Sequence, residues 1–111
     1  MGWQSTTFTI ANAGTDSNKV NLIDNSDRRP LHMTVFAPAA LTGTVTVKVS
    51  DVVGGTMVTL QSGGVDVTIA AGKAVAIGII IAAEVQLVSS GAEAAERVFP
   101  VMGATAYGAD R

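Results

Sequence analysis

Between Gly43 and Ser90 the chain reads GTVTVKVSDVVGGTMVTLQSGGVDVTIAAGKAVAIGIIIAAEVQLVSS, a succession of short apolar-alternating runs cut by glycine turns. From Thr44 to Ser50, Val45, Val47 and Val49 share one face while Thr46, Lys48 and Ser50 share the other, the period of two that marks a half-buried strand. The double glycine of Ser50 to Gly55 closes a hairpin, and Thr56 to Leu60 returns as its partner. Ser62, Gly63 and Gly64 turn the chain again into Val65 to Ile69, with Val65, Val67 and Ile69 aligned. Ala70 to Lys73 is a tight turn in which Gly72 suits a positive φ. The strand after it sets Val75, Ile77, Ile79 and Ile81 on one face and the small residues Ala74, Ala76 and Gly78 on the other. Its β-branching favours strand over helix, and the thin face lets another element approach closely. Glu84 to Ser90 follows, carrying Val85 and Leu87 inward.

The flanks continue the pattern. Trp3 to Ala11 is β-prone, with Phe8 and Ile10 on one face and Trp3, Thr7 and Thr9 on the other. Asn12 to Lys19 and Asp24 to Pro30 read as polar loops on either side of a short strand at Val20 to Ile23. Leu31 to Phe36 alternates again, and Pro38 ends it. Gly91 to Glu96, GAEAAE, is the helix-friendly segment, long enough for one turn at most. Arg97 to Gly103 closes the sheet with Phe99 and Val101 together, and Pro100 points to an edge position. The expected fold is all-β, an antiparallel β-sandwich of Ig-like or jelly-roll-like form with about eight short strands, or a small barrel. Residues 1–103 form its single domain, with 1–11 as an N-terminal arm or strand and 104–111 as a C-terminal tail.

A chain of 111 residues buries enough surface for one core. It has no cysteine, so packing and hydrogen bonds alone must hold the fold. The formal net charge is -2 and, apart from Arg28-Arg29, the basic residues are scattered, which leaves no footprint for nucleic acid. The opening Met-Gly-Trp-Gln-Ser-Thr-Thr has no basic segment followed by an apolar one, so no secretory signal is expected. Ala74 to Ala83 is the densest apolar run, bracketed by Lys73 and Glu84, and is far short of the roughly 20 residues of a membrane span. The telling figure is the surface. The chain is 48% hydrophobic and 14% charged, with mean hydropathy +0.41, against roughly 25% charged in an ordinary soluble domain. Its surface is therefore Thr, Ser, Gly and Ala, or is partly covered by other protein, and a sparsely charged β protein with open edges needs such cover.

No constellation for catalysis emerges. The single histidine, His32, has no cysteine or G-x-S-x-G elbow to serve. Glu84, Glu93, Glu96, Asp51 and Asp66 are carboxylates of the type a glycosidase pairs, but five aromatics in so small a domain make little of a sugar cleft. Asp24 and Asp27 in DNSD lack the glycine and terminal glutamate of a calcium loop and read as a turn capped by its own side chains, although acidic loops of different subunits could share a calcium ion. Gly54-Gly55 and Gly63-Gly64 lack the lysine and helix start of a phosphate loop. Neither a cofactor nor a resident metal is expected, and neither is enzymatic activity. Arg28 and Arg29 either clamp carboxylates of a partner or form a solvated loop pair. Trp3 and Tyr107 are either anchors in a neighbouring chain or covers over this domain's own core.

Taken together, V-T-V-K-V-S-D-x-x-G-G-T-x-V-T-L-Q-S-G-G, V-T-I-A-A-G-K-A-V, V-Q-L-V-S-S and A-A-E-R-V-F-P-V-M-G resemble small β-sandwich proteins of tailed-bacteriophage structural modules, nearest in size to capsid decoration, or cement, proteins. The resemblance covers residues 31 to 103 and is one of style. It implies a non-enzymatic virion protein, made in the host cytoplasm, that sits on the capsid exterior and ties neighbouring major capsid subunits together, often as a homotrimer. Residues 1–11 and 97–111 with Arg28 and Arg29 would be the contact set, with Trp3, Phe8, Arg28, Arg29, Arg97, Tyr107 and Arg111 as its partner-binding residues. A head-to-tail or tail subunit is the alternative within the same particle. S-D-x-x-G-G-T-x-V is also similar to strand-turn-strand units of carbohydrate-binding and discoidin-like sandwiches, but where an aromatic often follows the threonine this chain has Met57.

Overall fold

The computed structural model describes residues 3–21, 23–24, 27–28, 31–80 and 82–105. Among these there is no helix, and the strands in chain order are β1 (Trp3–Ile10), β2 (Val20–Asn21), β3 (Ile23–Asp24), β4 (Asp27–Arg28), β5 (Leu31–Phe36), β6 (Val45–Ser50), β7 (Val58–Thr59), β8 (Gln61–Ser62), β9 (Val65–Asp66), β10 (Thr68–Ile69), β11 (Ala74–Ile80), β12 (Glu84–Ser89) and β13 (Arg97–Thr105). Six of them exceed two residues, and the two larger sheets together hold nine strands, against the roughly eight short strands expected. All named pairings are antiparallel. Of the two larger sheets, one runs β1-β13-β5-β11 and the other β10-β6-β12-β2, with β7 also on β6; β3 pairs with β4 and β8 with β9 in two small sheets. The fold is all-β and sandwich-like, as the alternation indicates.

The two sheets face each other across Phe8, Ile10, Met33, Val35, Val45, Val47, Ile77, Val85, Leu87, Phe99 and Val101, all buried. Each of these is an alternate residue of its strand, which is why period two was visible in the sequence. The hairpin glycines act as expected: Gly63 and Gly64 have φ of 63° and 83°, and Gly72 has φ of 70°. β8 and β9 form a small hairpin inserted between β7 and β10, and the two halves meet again where the Val67 amide donates to the Leu60 carbonyl at 2.9 Å.

Several expectations change. Val65 does not align with Ile69 in the core; it lies on the inserted hairpin, 68% exposed. The alternation of β11 shifts by one across an irregularity in its pairing with β5, so Ile77 and Ile80 are both buried; Ile81 lies outside the described residues. Pro100 does not mark an edge, because β13 is internal. Its ladder to β5 begins at Val101, so the missing donor falls at the end of that ladder. Nor does 91–96 form a helical turn. The Glu93 amide donates to the Gly14 carbonyl at 3.0 Å and its carbonyl accepts from the Ala13 amide at 2.8 Å, so the backbone is committed to another loop. The strand expected to end at Gly103 continues to Thr105.

The polar loop after β1 is more ordered than its composition implies. Its second half runs along β12, with the Ser17 amide donating to the Leu87 carbonyl at 2.9 Å and the Ser89 amide donating to the Thr15 carbonyl at 2.8 Å. It also touches β1 through a bridge between Ile10 and Ser17. This segment seals one side of the sandwich.

Candidate functional site

Register defines the outer face of the β1-β13-β5-β11 sheet. Thr7 lies opposite Pro100 and Thr9 opposite Val98. Met102 lies opposite Thr34, and Thr34 opposite Ala76, while Phe36 lies opposite Ala74. His32 and Gly78 extend the face towards one end. The inward partners Phe8, Phe99, Val101, Val35 and Ile77 are in the core, so these outward residues form a solvent-facing surface. Among the described residues no Asp, Glu, Lys or Arg holds a position on it. Phe36, Val98 and Met102 are 39%, 41% and 46% exposed. A shallow open depression of about 480 Å³ lies between Met102, His32, Thr34, Ala76 and Gly78, where the small residues of β11 leave room.

The ends of this sheet explain where the sequence-derived contact residues go. Trp3 pairs with Ala104, and Leu31 pairs with Thr105. The start of β1, the end of β13 and the start of β5 thus share one end of the sheet, and Arg28, in β4, precedes β5 there. Trp3 lies on a strand that reaches this end, and Arg28 lies on β4, which pairs with β3 in a separate two-stranded sheet. Arg29, Tyr107 and Arg111 lie outside the described residues. Two members of the set are corrected. Phe8 has no exposed surface, because it fills the core opposite Phe99, so it cannot meet a partner. Arg97 sits at the far end, opposite Ile10, and its guanidinium is committed to Glu93 within the domain.

Glu93 is the centre of a buried polar knot that the sequence did not reveal. Its side chain is fully buried. The Thr42 amide donates to Oε1 at 2.8 Å and the Gly43 amide to Oε2 at 2.9 Å. The Ser89 hydroxyl donates to Oε2 at 2.7 Å and Arg97 Nε to Oε1 at 2.9 Å. Burial alone would raise the pKa, but the Thr42 amide, Ser89, Arg97 and the Gly43 amide together overcome it and hold the carboxyl at about 2. Gly43 must be glycine here, since a Cβ would come within 2.4 Å of Ser89 Oγ and 2.9 Å of the Gly91 amide nitrogen. The available signal was the spacing of Glu93 and Arg97, four apart, which reads as a helix pair and is here made without a helix.

The other acids of the type a glycosidase pairs do not assemble a reaction centre among the described residues. Glu84 is buried and accepts the Gly54 amide at 3.0 Å, pinning the turn between β6 and β7. Asp66 accepts from Gln61 across the inserted hairpin at 2.8 Å. Among the described residues no group of three or more His, Asp or Glu is arranged to hold a metal ion. Asn18 is a second residue that composition could not single out. Its Oδ1 accepts the Thr9 amide at 2.9 Å and its Nδ2 donates to the Thr7 carbonyl at 3.2 Å, so one side chain takes the place of a strand on the edge of β1. Compared with protein-family models, curated proteins and solved structures, the chain has no match.

Proposed function

We propose that this chain is a non-enzymatic structural subunit of a larger protein assembly. The observation that carries the reading is the bare, uncharged outer face of the β1-β13-β5-β11 sheet. A free-standing domain gains solubility from charge on such a face, whereas an assembly subunit gains cohesion from its absence. The resemblance to phage decoration proteins supplies the assembly: the outer surface of a capsid, where the chain, as a homotrimer, stabilises contacts between major capsid subunits. The contact set for the shell is Trp3, Arg28, Arg29, Tyr107 and Arg111, supported by the meeting of β1, β5 and β13 at one end of the sheet. Arginine forks suit carboxylates on a partner, and an aromatic at the same end supplies apolar area. Weak contacts repeated over a shell add up, because a ligand that binds only the closed shell stabilises it by mass action.

The test is occupancy on capsid shells lacking the protein, measured by co-sedimentation with the full chain. Wild type is expected to saturate the shells. Arg28→Ala with Arg29→Ala, and separately Trp3→Ala, should each lower occupancy at least tenfold at limiting concentration. Full occupancy by both variants would reject the contact set, and no binding by wild type would reject the capsid reading. Deleting residues 1–11 is not a usable test, since it removes Phe8 and Ile10 from the core.

A further inference from the structure

The four-stranded sheet has two edges, β1 and β11, and they are finished differently. Its strands alternate in direction, because β1 pairs antiparallel with β13, β13 with β5 and β5 with β11. With an even number of strands the two edge strands run opposite ways. The β1 of a second copy, laid beside β11 in the same orientation, would continue the antiparallel pattern, and a third copy would follow the second. Head-to-tail pairing of that kind does not close on itself and makes an open filament. Neither edge strand carries an Asp, Glu, Lys or Arg, so the charges that commonly guard an edge are missing.

β11 is open to such an addition. The Ala37 amide donates to the Lys73 carbonyl at 2.9 Å, one step before the pairing of Ala74 with Phe36. Alternation from that bond turns the backbone groups of Val75 and Ile77 towards β5 and those of Ala74 and Ala76 outwards. Among the described residues no backbone group meets the outward ones. Past Ile77 the pairing is irregular, with two residues of β11 set against His32, so the regular part of this edge is Ala74 to Ile77.

β1 is closed where it would engage. Asn18 Oδ1 accepts the Thr9 amide at 2.9 Å and Nδ2 donates to the Thr7 carbonyl at 3.2 Å, the two bonds that one residue of a parallel strand would make on either side of Phe8. The bridge between Ile10 and Ser17 continues the cover. Ser17 is itself fastened to the other sheet, its amide donating to the Leu87 carbonyl at 2.9 Å and its carbonyl accepting from Gln86 at 2.7 Å. Across the sheet Thr6 stands level with Val75 through Val101 and Val35, which puts Thr7 level with Ala74, the start of the regular β11 edge. We infer that Asn18 is a terminator of sheet growth: its carboxamide keeps the β1 edge of one copy from adding to the β11 edge of the next. The inference is separate from the capsid reading and concerns what the chain is built not to do with its own copies.

The test is the mass of the full chain by light scattering during size exclusion, over a hundredfold range of concentration, with circular dichroism to establish that each variant is folded. Wild type is the reference, whatever its own mass. Asn18→Ala should form species that grow with concentration to at least ten times the wild-type mass. Asn18→Ser, too short to reach both backbone groups, should do the same and stands in if Asn18→Ala does not fold. Asn18→Asp also loses the bond to the Thr7 carbonyl but sets a charge on the edge, so it should keep the wild-type mass. Ala76→Pro, added to Asn18→Ala, removes an outward amide of β11 without touching the ladder to β5 and should restore the wild-type mass. A folded Asn18→Ala or Asn18→Ser at the wild-type mass throughout overturns the inference. So does growth that Ala76→Pro leaves unchanged, or growth of Asn18→Asp equal to that of Asn18→Ala, either of which assigns the association to lost stability. Failure of both Asn18→Ala and Asn18→Ser to fold overturns it too, by making Asn18 a requirement of the domain and not of its edge.

Discussion

The outer faces of the two sheets are built on opposite plans. On β6 and β12 the outward positions hold Thr46, Lys48, Ser50, Glu84, Gln86 and Val88, and much of this polar surface is covered by the chain's own loops. Ser50, Glu84 and Gln86 are all buried: Glu84 under the turn that carries Gly54, and Gln86 under the segment at Ser17, whose carbonyl it reaches at 2.7 Å. On β13 and β5 the outward positions are apolar or neutral, and Val98, Met102 and Phe36 remain open. The domain has covered its polar face and left its apolar one bare, the reverse of what a solitary soluble domain requires. Cover on the first face is intramolecular and made of hydrogen bonds, so it should register in folding stability. On the assembly reading, cover on the second comes from another chain, so it should register in association.

The largest effect is expected where the intramolecular cover is anchored. Glu93→Ala strips partners from the Thr42 and Gly43 amides, Ser89 and Arg97 at once, leaving buried donors and a partly buried cation unpaired. The expected loss is about 3–5 kcal/mol, read as a lower urea midpoint at unchanged slope. The same carboxyl gives a pH signature. Its folded value of about 2 lies below the ordinary 4.5, so its contribution is complete above about pH 4.5 and is lost as the pH falls through about 2. Wild type minus Glu93→Gln stability, measured from pH 6 to pH 2, should therefore shrink across that window. A constant difference would mean that the carboxylate charge does not hold the knot.

Gln86→Leu comes next. It leaves the Ser17 carbonyl without this donor beneath the covering segment, and about 1–2 kcal/mol should be lost in the same urea assay. Ala13→Gly should act in the other direction. Ala13 sits at φ 69° while its amide donates to the Glu93 carbonyl at 2.8 Å, a left-handed conformation that glycine adopts freely. Relief of that strain, offset in part by the added freedom of the unfolded chain, should stabilise by up to about 1 kcal/mol.

What the sequence made legible was whatever repeats. Val45 and Val47, Phe99 and Val101, and Phe8 and Ile10 announce the core by alternation, and Gly63, Gly64 and Gly72 announce turns by their freedom at positive φ. The thin face of Ala74, Ala76 and Gly78 was also visible, because smallness on one side of a strand is a local property. Contacts between residues distant in the chain were not. Glu93 meets Thr42 and Gly43, fifty residues away, and Asn18 lies against β1 only because the loop doubles back. Phe8 reads as a contact residue for a related reason: its place near the start of the chain implies an arm, whereas its pairing with Phe99 on an internal strand makes it core. The uncharged face itself joins four strands drawn from both ends and the middle of the sequence, and no single segment displays it.

The smallest expected effect on folding is the most informative about the bare face. Met102→Thr trims an exposed apolar side chain beside the depression at Ala76 and Gly78 and introduces β-branching, which suits a strand. In the isolated domain little burial is lost, so stability under dilute, single-chain conditions should move by no more than about 0.5 kcal/mol. At concentrations where copies associate, the same change removes apolar area from the covered face, and at about 25 cal/mol per Å² even a partial loss repeated in three copies should weaken assembly at least tenfold. Stability that is independent of concentration, combined with an unchanged assembly midpoint, would show that the face is merely tolerated as bare surface. A concentration-dependent loss confined to assembly would show that the two sheets divide the work, one holding the domain together and the other holding domains to each other.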